Sequence, residues 1–290
     1  MERELWTALY VILTHLDEQP RHWKFRNSTI LLVYLWAAVH DRPMTWALKK
    51  TNWHNDLLKM ICLPSQSTLS RRMRQHAVQQ LLIDVEQAWL GLVSETQKWI
   101  HVIDGKPLAV SGVTKDPDAT YGRGAGCMQK GYKLFAIWSG GPLPSAWALA
   151  GMNVSEKKMA RELIASLPGS GYILGDAEYD SNPLFEIAHD AGYQLLAPKR
   201  QKEHGVGHRR QSPYRLRSIE LMKTLFGKGL AKFRKQIERD FSDLTGFGGG
   251  LICLPPWVRR ITRVCNWVHC KLLINAARWL NNHHLLQADA

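Results

Sequence analysis

Several things are scarce or missing in this 290-residue sequence, and each absence narrows the reading. No stretch approaches the roughly 20 uncharged apolar residues that span a bilayer. The longest apolar run, Ile30 to Val39, reads as a buried helix, so no membrane partner is expected. Cysteine is sparse, odd in number and scattered: Cys62, Cys127, Cys253, Cys265 and Cys270, with no C-x-x-C pair. That excludes a secreted disulfide framework. His204 and His208 sit in a basic loop without a suitably spaced acid or thiol, which argues against structural zinc. The opening Met1-Glu2-Arg3-Glu4 lacks the basic start and apolar run of a secretory signal, so a soluble cytoplasmic protein is expected. There is no G-x-x-x-x-G-K-S/T loop, so no nucleotide cofactor is expected. Tyr121-Gly-Arg-Gly-Ala-Gly126 lacks both the dinucleotide spacing and a following helix, and Ser139, Ser145 and Ser170 lack the G-x-S-x-G turn of a hydrolase.

Acidic residues are also few relative to bases. Lys and Arg total 38 against 25 Asp and Glu, a formal charge of +13 with His neutral. Between Lys199 and Arg239 thirteen bases accompany only three acids, Glu203, Glu220 and Glu238. Ten of the thirteen net charges therefore fall in this segment, a concentration that suits a polyanion whose condensed counterions are released on binding. What the chain has in plenty is apolar mass. A 45% apolar fraction and 12 Trp exclude disorder and supply a core for one large or two modest domains.

Residues 1–95 read as all-helical. Leu5, Leu9, Ile12 and Leu16 recur at helical spacing, and Asp41-Arg42-Pro43 ends the helix that follows Ser28. After Pro64, Ser65 is placed to cap a helix carrying Arg71, Arg72 and Arg74. That chemistry suits either a helix on DNA phosphates or a polar surface helix. From residue 96 the pattern changes. Trp99 to Asp104 reads as a strand, Gly105-Lys106-Pro107 as a turn, and Leu108 to Val110 as a second short strand. Further strands are expected at Tyr132–Trp138, Ala146–Leu149, Tyr172–Asp176 and Gln194–Ala197, with helices from Ser155 and Asn182. This order predicts an α/β domain over 96–290, a mixed sheet flanked by helices. A long C-terminal helix from Trp257 to Leu280 has an apolar stripe suited to core packing or a dimer contact.

Two aspartates end apolar runs, Asp104 and Asp176. A carboxylate in such a place is costly unless solvated, paired or bound to a cation, and magnesium is held by a few carboxylates. Glu178 and Asp180 lie close behind Asp176, so spacing alone does not choose among them. Glu238, in the most basic stretch, has Arg234 one turn earlier. It reads equally as half of an exposed ion pair or as a metal ligand with Arg234 on phosphate.

Together these residues resemble the motifs of DDE-class insertion-sequence transposases. Ile103-Asp104-Gly105-Lys106 is similar to the first acidic motif, Gly175-Asp176-Ala-Glu-Tyr179-Asp180 to the second, and Arg234-x-x-x-Glu238 to the third. The similarity covers roughly residues 95 to 285. It implies a ribonuclease H-like fold with Asp104, Asp176 and Glu238 as catalytic ligands of two magnesium or manganese ions. It also implies cleavage at the ends of a mobile element, joining of the freed 3′-hydroxyl to target DNA, and a homodimer holding paired ends. Arg234, Lys235, Lys199 and Arg200, with Arg71, Arg72 and Arg74 of the N-terminal region, are the expected DNA contacts. Two positions depart from the family pattern, Ala231 where a Tyr is usual and Thr245 where a Lys is frequent. They leave open a homologue that binds DNA without cutting it, beside a nuclease without strand transfer.

Overall fold

A computed structural model describes residues 2–19, 24–93, 99–124, 126–200, 205–206, 210–246 and 250–283. Most of the His204–His208 loop, and Phe247, Gly248 and Gly249, lie outside these residues. The chain forms two compact units, one comprising Met1–Glu95, Asp243–Val258 and Thr262–Ala290, the other Thr96–Ser242 and Arg259–Ile261.

The first unit is helical. It contains α1 (Glu2–Leu16), α2 (Asn27–Val39), α3 (Met44–Ala47), α4 (Asn55–Met60), α5 (Gln66–Arg72) and α6 (His76–Val93). Helix α2 is buried on all sides, as its unbroken apolar run requires. Its first N–H groups are satisfied from a distance: Ser28 donates to Asp17 Oδ2 and Asn27 to Gln19 Oε1, each at 2.8 Å. Trp36 packs against Trp6 and Trp53, ring centroids 4.9 and 4.7 Å apart. Ser65 caps α5, its hydroxyl accepting the Thr68 N–H.

The second unit carries a six-stranded sheet. Its strands are β1 (Ile100–Ala109), β2 (Thr120–Arg123), β3 (Met128–Trp138), β4 (Ala146–Gly151), β5 (Gly171–Leu174) and β6 (Tyr193–Leu196), in the order β2-β3-β1-β5-β6 with β4 also on β3. Strand β3 runs antiparallel to β1, β2 and β4, whereas β1, β5 and β6 are mutually parallel. Helices α7 (Glu156–Ser166), α8 (Asn182–Asp190), α9 (Pro213–Lys223) and α10 (Leu225–Thr245) complete it. This mixed sheet flanked by helices is consistent with a ribonuclease H-like fold. Strand alternation sorts the side chains. Ile103, Phe135, Ile137, Ile173 and Leu195 share a core with Met159, Leu163 and Ile164 of α7 and Leu184 and Phe185 of α8. On the other side α10 brings Phe226 to Tyr172 and Phe241 to Trp138, at centroid distances of 5.6 and 6.1 Å.

Two sequence expectations change. Gly105-Lys106-Pro107 is not a turn, because β1 continues through it paired with β3. The N–H of Val110 points at Lys130 O of β3, so by alternation position 107 faces away from that partner. Beyond Val102 the pairing with β5 has ended, and proline's missing donor is harmless at this open edge. Tyr121-Gly-Arg, which was not expected to be a strand, forms most of β2.

The last helix, α11, spans Ile261–Asn282 and starts four residues later than expected. Asp116 Oδ2 and Asp118 Oδ2 accept the N–H groups of Arg260 and Ile261 at 3.1 and 2.9 Å, which fixes that start. The division at residue 95 groups this helix with the α/β region, yet its body packs among the N-terminal helices. Trp267 meets Tyr34, His269 lies 2.7 Å from Glu86, and the buried Lys271 lies 2.8 Å from Asp41. Among the described residues no helix is long and apolar enough to cross a membrane.

Candidate active site

The parallel register of β1 and β5 determines where the first two acids stand. Val102 and Leu174 form the last pair, and Asp104 and Asp176 each follow it by two residues, near enough for the charge of Asp176 to be felt at Asp104. Neighbouring strands run about 4.8 Å apart. Even-numbered β1 positions face away from the α7 and α8 core, towards α10. Asp104 and Lys106 therefore share the face that Phe241 approaches, with Lys106 Nζ 6.0 Å from that ring's centroid. Just past the end of β5, Asp176 caps a short 3-10 turn, its Oδ1 accepting the Glu178 N–H at 2.8 Å. Both acids lie just beyond the last parallel pair of β1 and β5, Asp104 inside β1 and Asp176 past the C-terminal end of β5.

The electrostatics are those of crowded negative charge. Burial pushes the Asp104 carboxyl up to about 6, the Gly105 N–H it accepts opposes that, and the carboxylates of Asp176 and Glu156 raise it further. Arg234, reaching in from α10, works in the opposite direction. Glu156 was not singled out from sequence. It opens α7 and is held by Lys133 of β3 at 2.9 Å. A side chain at position 105 would crowd the Lys133 stem, its Cβ 3.0 Å from Cδ, so Gly105 gives that lysine its path. Tyr179 is fully buried with its hydroxyl towards Glu156. Burial first, then Glu156, Asp104 and Asp176, push its phenol well above the ordinary value.

The two acids behind Asp176 differ in use. The Asp180 carboxylate receives Arg215 Nε and Nη2 at 2.6 and 2.7 Å and the Arg200 N–H at 3.0 Å, a structural clamp. Glu178 is half-exposed, 3.6 Å from the Arg200 guanidinium. Glu238 sits on the exposed side of α10, one turn beyond Arg234. Among the described residues no three His, Cys, Asp or Glu side chains are close enough to hold a metal ion together. Asp104 and Asp176 nevertheless suit a divalent cation: both are hard oxygen donors, and a cation would relieve the penalty burdening Asp104.

The expected DNA contacts divide. Lys199 and Arg200 follow β6 at the same strand ends as Asp176, and Lys235 is exposed on α10. Arg71 and Arg74 are exposed on or beside α5. Arg72 does not join them. It is 8% exposed, its guanidinium donating to Asn27 Oδ1 at 2.6 Å and Gln19 Oε1 at 3.1 Å, because it shares the inward face of α5 with Leu69.

Compared with known proteins, residues 95–267 match the family described as Transposase DDE domain, more than half of the chain. No curated protein and no solved structure matches.

Proposed function

The chain belongs to the Transposase DDE domain family, and from that premise we propose that it cuts DNA at the ends of a mobile element and joins the freed 3′-hydroxyl to target DNA. The observation carrying this reading is that Asp104 and Asp176, each two residues past the last pair of β1 and β5, are near enough for the charges of Asp176 and of Arg234 on α10 to be felt at the Asp104 carboxyl. Asp104 and Asp176 would hold the divalent ions, magnesium or manganese. Glu238 holds the third position of the family motif, but its side chain is not grouped with the two aspartates here, so it would have to turn in towards them to serve as third ligand. Two such ions, when bound, supply Lewis-acid neutralisation of the charge that grows on the transferring phosphate.

The chain's own groups do the rest. Arg234 places a cation beside Asp104, where it orients a phosphate and offsets crowding among Asp104, Asp176 and Glu156. Lys133 holds Glu156 by an ion pair at 2.9 Å, so the negative field that Glu156 adds at Asp104 is built into the fold. Lys106 and Phe241 lie together on the face of β1 that carries Asp104, where Lys106 supplies a further cation for phosphate. Lys199, Arg200 and Lys235 receive backbone phosphates. The helical region, through the exposed Arg71 and Arg74, serves DNA binding and the pairing of two copies at two element ends.

A labelled duplex taken from DNA flanking the reading frame, incubated with protein and magnesium, tests this. Wild type is expected to cleave and join, and Asp104→Asn, Asp176→Asn and Glu238→Gln are expected not to. Full activity in a variant removes that residue from the site. DNA binding without cleavage by wild type, in magnesium and in manganese, overturns the enzyme reading in favour of a binding homologue.

A further inference from the structure

Helix α10 carries a second feature, on the surface turned away from the sheet. Its buried positions Leu230, Ile237, Phe241 and Leu244 mark one face. Lys228, Lys232, Lys235 and Arg239 follow one another at spacings of four, three and four. At 100° per residue they fall within a 60° arc centred opposite the buried face. All four are exposed, and among the described residues none of them has an ion-pair partner. The acids of the same helix lie to the sides: Glu238 between the stripe and Arg234, and Asp240 on the opposite flank. Asp243 ends the row.

Four like charges on one helix face repel one another and add nothing to the fold. An exposed helix needs polar residues there, but not four cations in register without an acid among them. With a rise of about 1.5 Å per residue the row from Lys228 to Arg239 is about 16 Å long. One DNA strand advances about 3.4 Å per phosphate along the duplex axis. Each strand winds to the far side of the duplex within half a turn, so a straight row of this length meets a few consecutive phosphates on the side that faces it. Lysine and arginine on flexible stems can each settle on a phosphate without exact placement.

We propose that the Lys228, Lys232, Lys235 and Arg239 face of α10 is a rail for the sugar-phosphate backbone of duplex DNA, separate from the groups that face the cleaved bond. The inference rests on the reading that the partner is DNA. Within that reading it divides the basic segment by role: Arg234 turns in towards the acids, and the row on the outer face grips duplex without regard to sequence. Glu238 stands on the helix edge between these two surfaces.

The test measures binding of a labelled duplex from 50 to 300 mM salt in chelator, where no cutting occurs. Four variants change together, K228Q, K232Q, K235Q and R239Q. The control protein carries R42Q, K49Q, K50Q and K59Q, which removes the same charge from exposed positions in the helical unit. The rail protein is expected to lose about 3.6 from the slope of log affinity against log salt, and about 10²–10³-fold in affinity at 100 mM. The control is expected to lose less than one from the slope. Equal losses in both proteins, no loss in the rail protein, or a loss seen with duplex RNA and not with DNA would each overturn the rail. Should the combined protein fail to fold, the four single variants are read instead, each expected to lower the slope by about 0.9. Because binding is read without metal, the rail can hold while the cleavage assay fails, or fail while cleavage stands.

Discussion

Asp176 and Asp180 are four residues apart on one short stretch after β5, yet the regions they serve have opposite physical character. Asp180 is buried and answered. Burial alone would raise its carboxyl, but the Arg215 hydrogen bonds, the Arg200 N–H and the charge of Arg215 outweigh that and hold it below the usual range. The rim that Asp176 shares with Asp104 is crowded and unanswered, and there Asp104 is pushed up to about 6. The same residue type, in the same fold, is spent on stability in one place and kept at a cost in stability in the other. Groups with penalties of this kind collect where a ligand is meant to relieve them. The contrast sets a clamped acid apart from a penalised one, and it supports the proposed role of Asp104 without reference to the substrate.

The strongest way to break the comparison is to exchange the roles. Asp104→Asn is expected to lower cleavage by about 10³-fold or more, equivalent to about 4 kcal/mol of barrier, while the protein stays folded by circular dichroism. A variant that cuts DNA at wild-type rate would show the crowded rim to be incidental. Asp180→Asn is the mirror test. Removing one partner of a buried pair leaves Arg215 uncompensated and is expected to cost about 3–5 kcal/mol in denaturant unfolding. The pH dependence follows from the sign of the shift. The Asp180 contribution is fully present above the unfolded carboxylate value, about 4, and is lost as pH falls through the lower folded value. Wild type should therefore lose stability on acidification over a window in which Asp180→Asn does not.

Asp104 should behave the other way. Its folded carboxyl lies at about 6, above the unfolded value of about 4, so the cost of ionising it builds as pH rises from about 4 to about 6 and is complete above that. In chelator at pH 8, Asp104→Asn is expected to be more stable than wild type by about 1–3 kcal/mol. The gap should close as pH falls from 6 towards 4. Divalent cation should close it from the other side, by binding wild type and not the variant. A destabilised Asp104→Asn at pH 8 would mean that the carboxylate is answered after all, and the distinction from Asp180 would fail.

The difference between these regions was only partly legible in the sequence. Asp104 and Asp176 stand out as candidates because each closes an apolar run, and the order of strands and helices was enough to suggest the mixed sheet. The clamp could not be found: Arg215 is 35 positions from Asp180 and looks like one more base in a basic stretch. Glu156 was invisible for the same reason, since its partner Lys133 lies two elements earlier. Arg72 misled because a seven-residue helix carries too few apolar positions to declare its inward face, and a guanidinium can be buried once Asn27 and Gln19 accept from it. Pro107 misled because its tolerance depends on an edge left open by the early end of β5, a fact of pairing rather than of local sequence.

The smallest expected effect lies between the two regions, at Glu178. It borders Asp176 on one side and Asp180 on the other, and its contact with Arg200 at 3.6 Å joins side chains 49% and 58% exposed. A pair so open to solvent is worth little, so Glu178→Gln is expected to change stability by no more than about 0.5 kcal/mol. DNA affinity should move in the opposite sense to a stability loss. The Arg200 backbone stays fixed on Asp180 while its guanidinium is released from a competing carboxylate, and a negative charge leaves the strand rim. Tighter binding at low salt, with the advantage fading as salt screens it, would place Arg200 on the DNA-facing side of the division. Weaker binding, or a stability loss approaching that of Asp180→Asn, would move Glu178 and Arg200 into the structural clamp and shift the border of the functional rim to Asp176 itself.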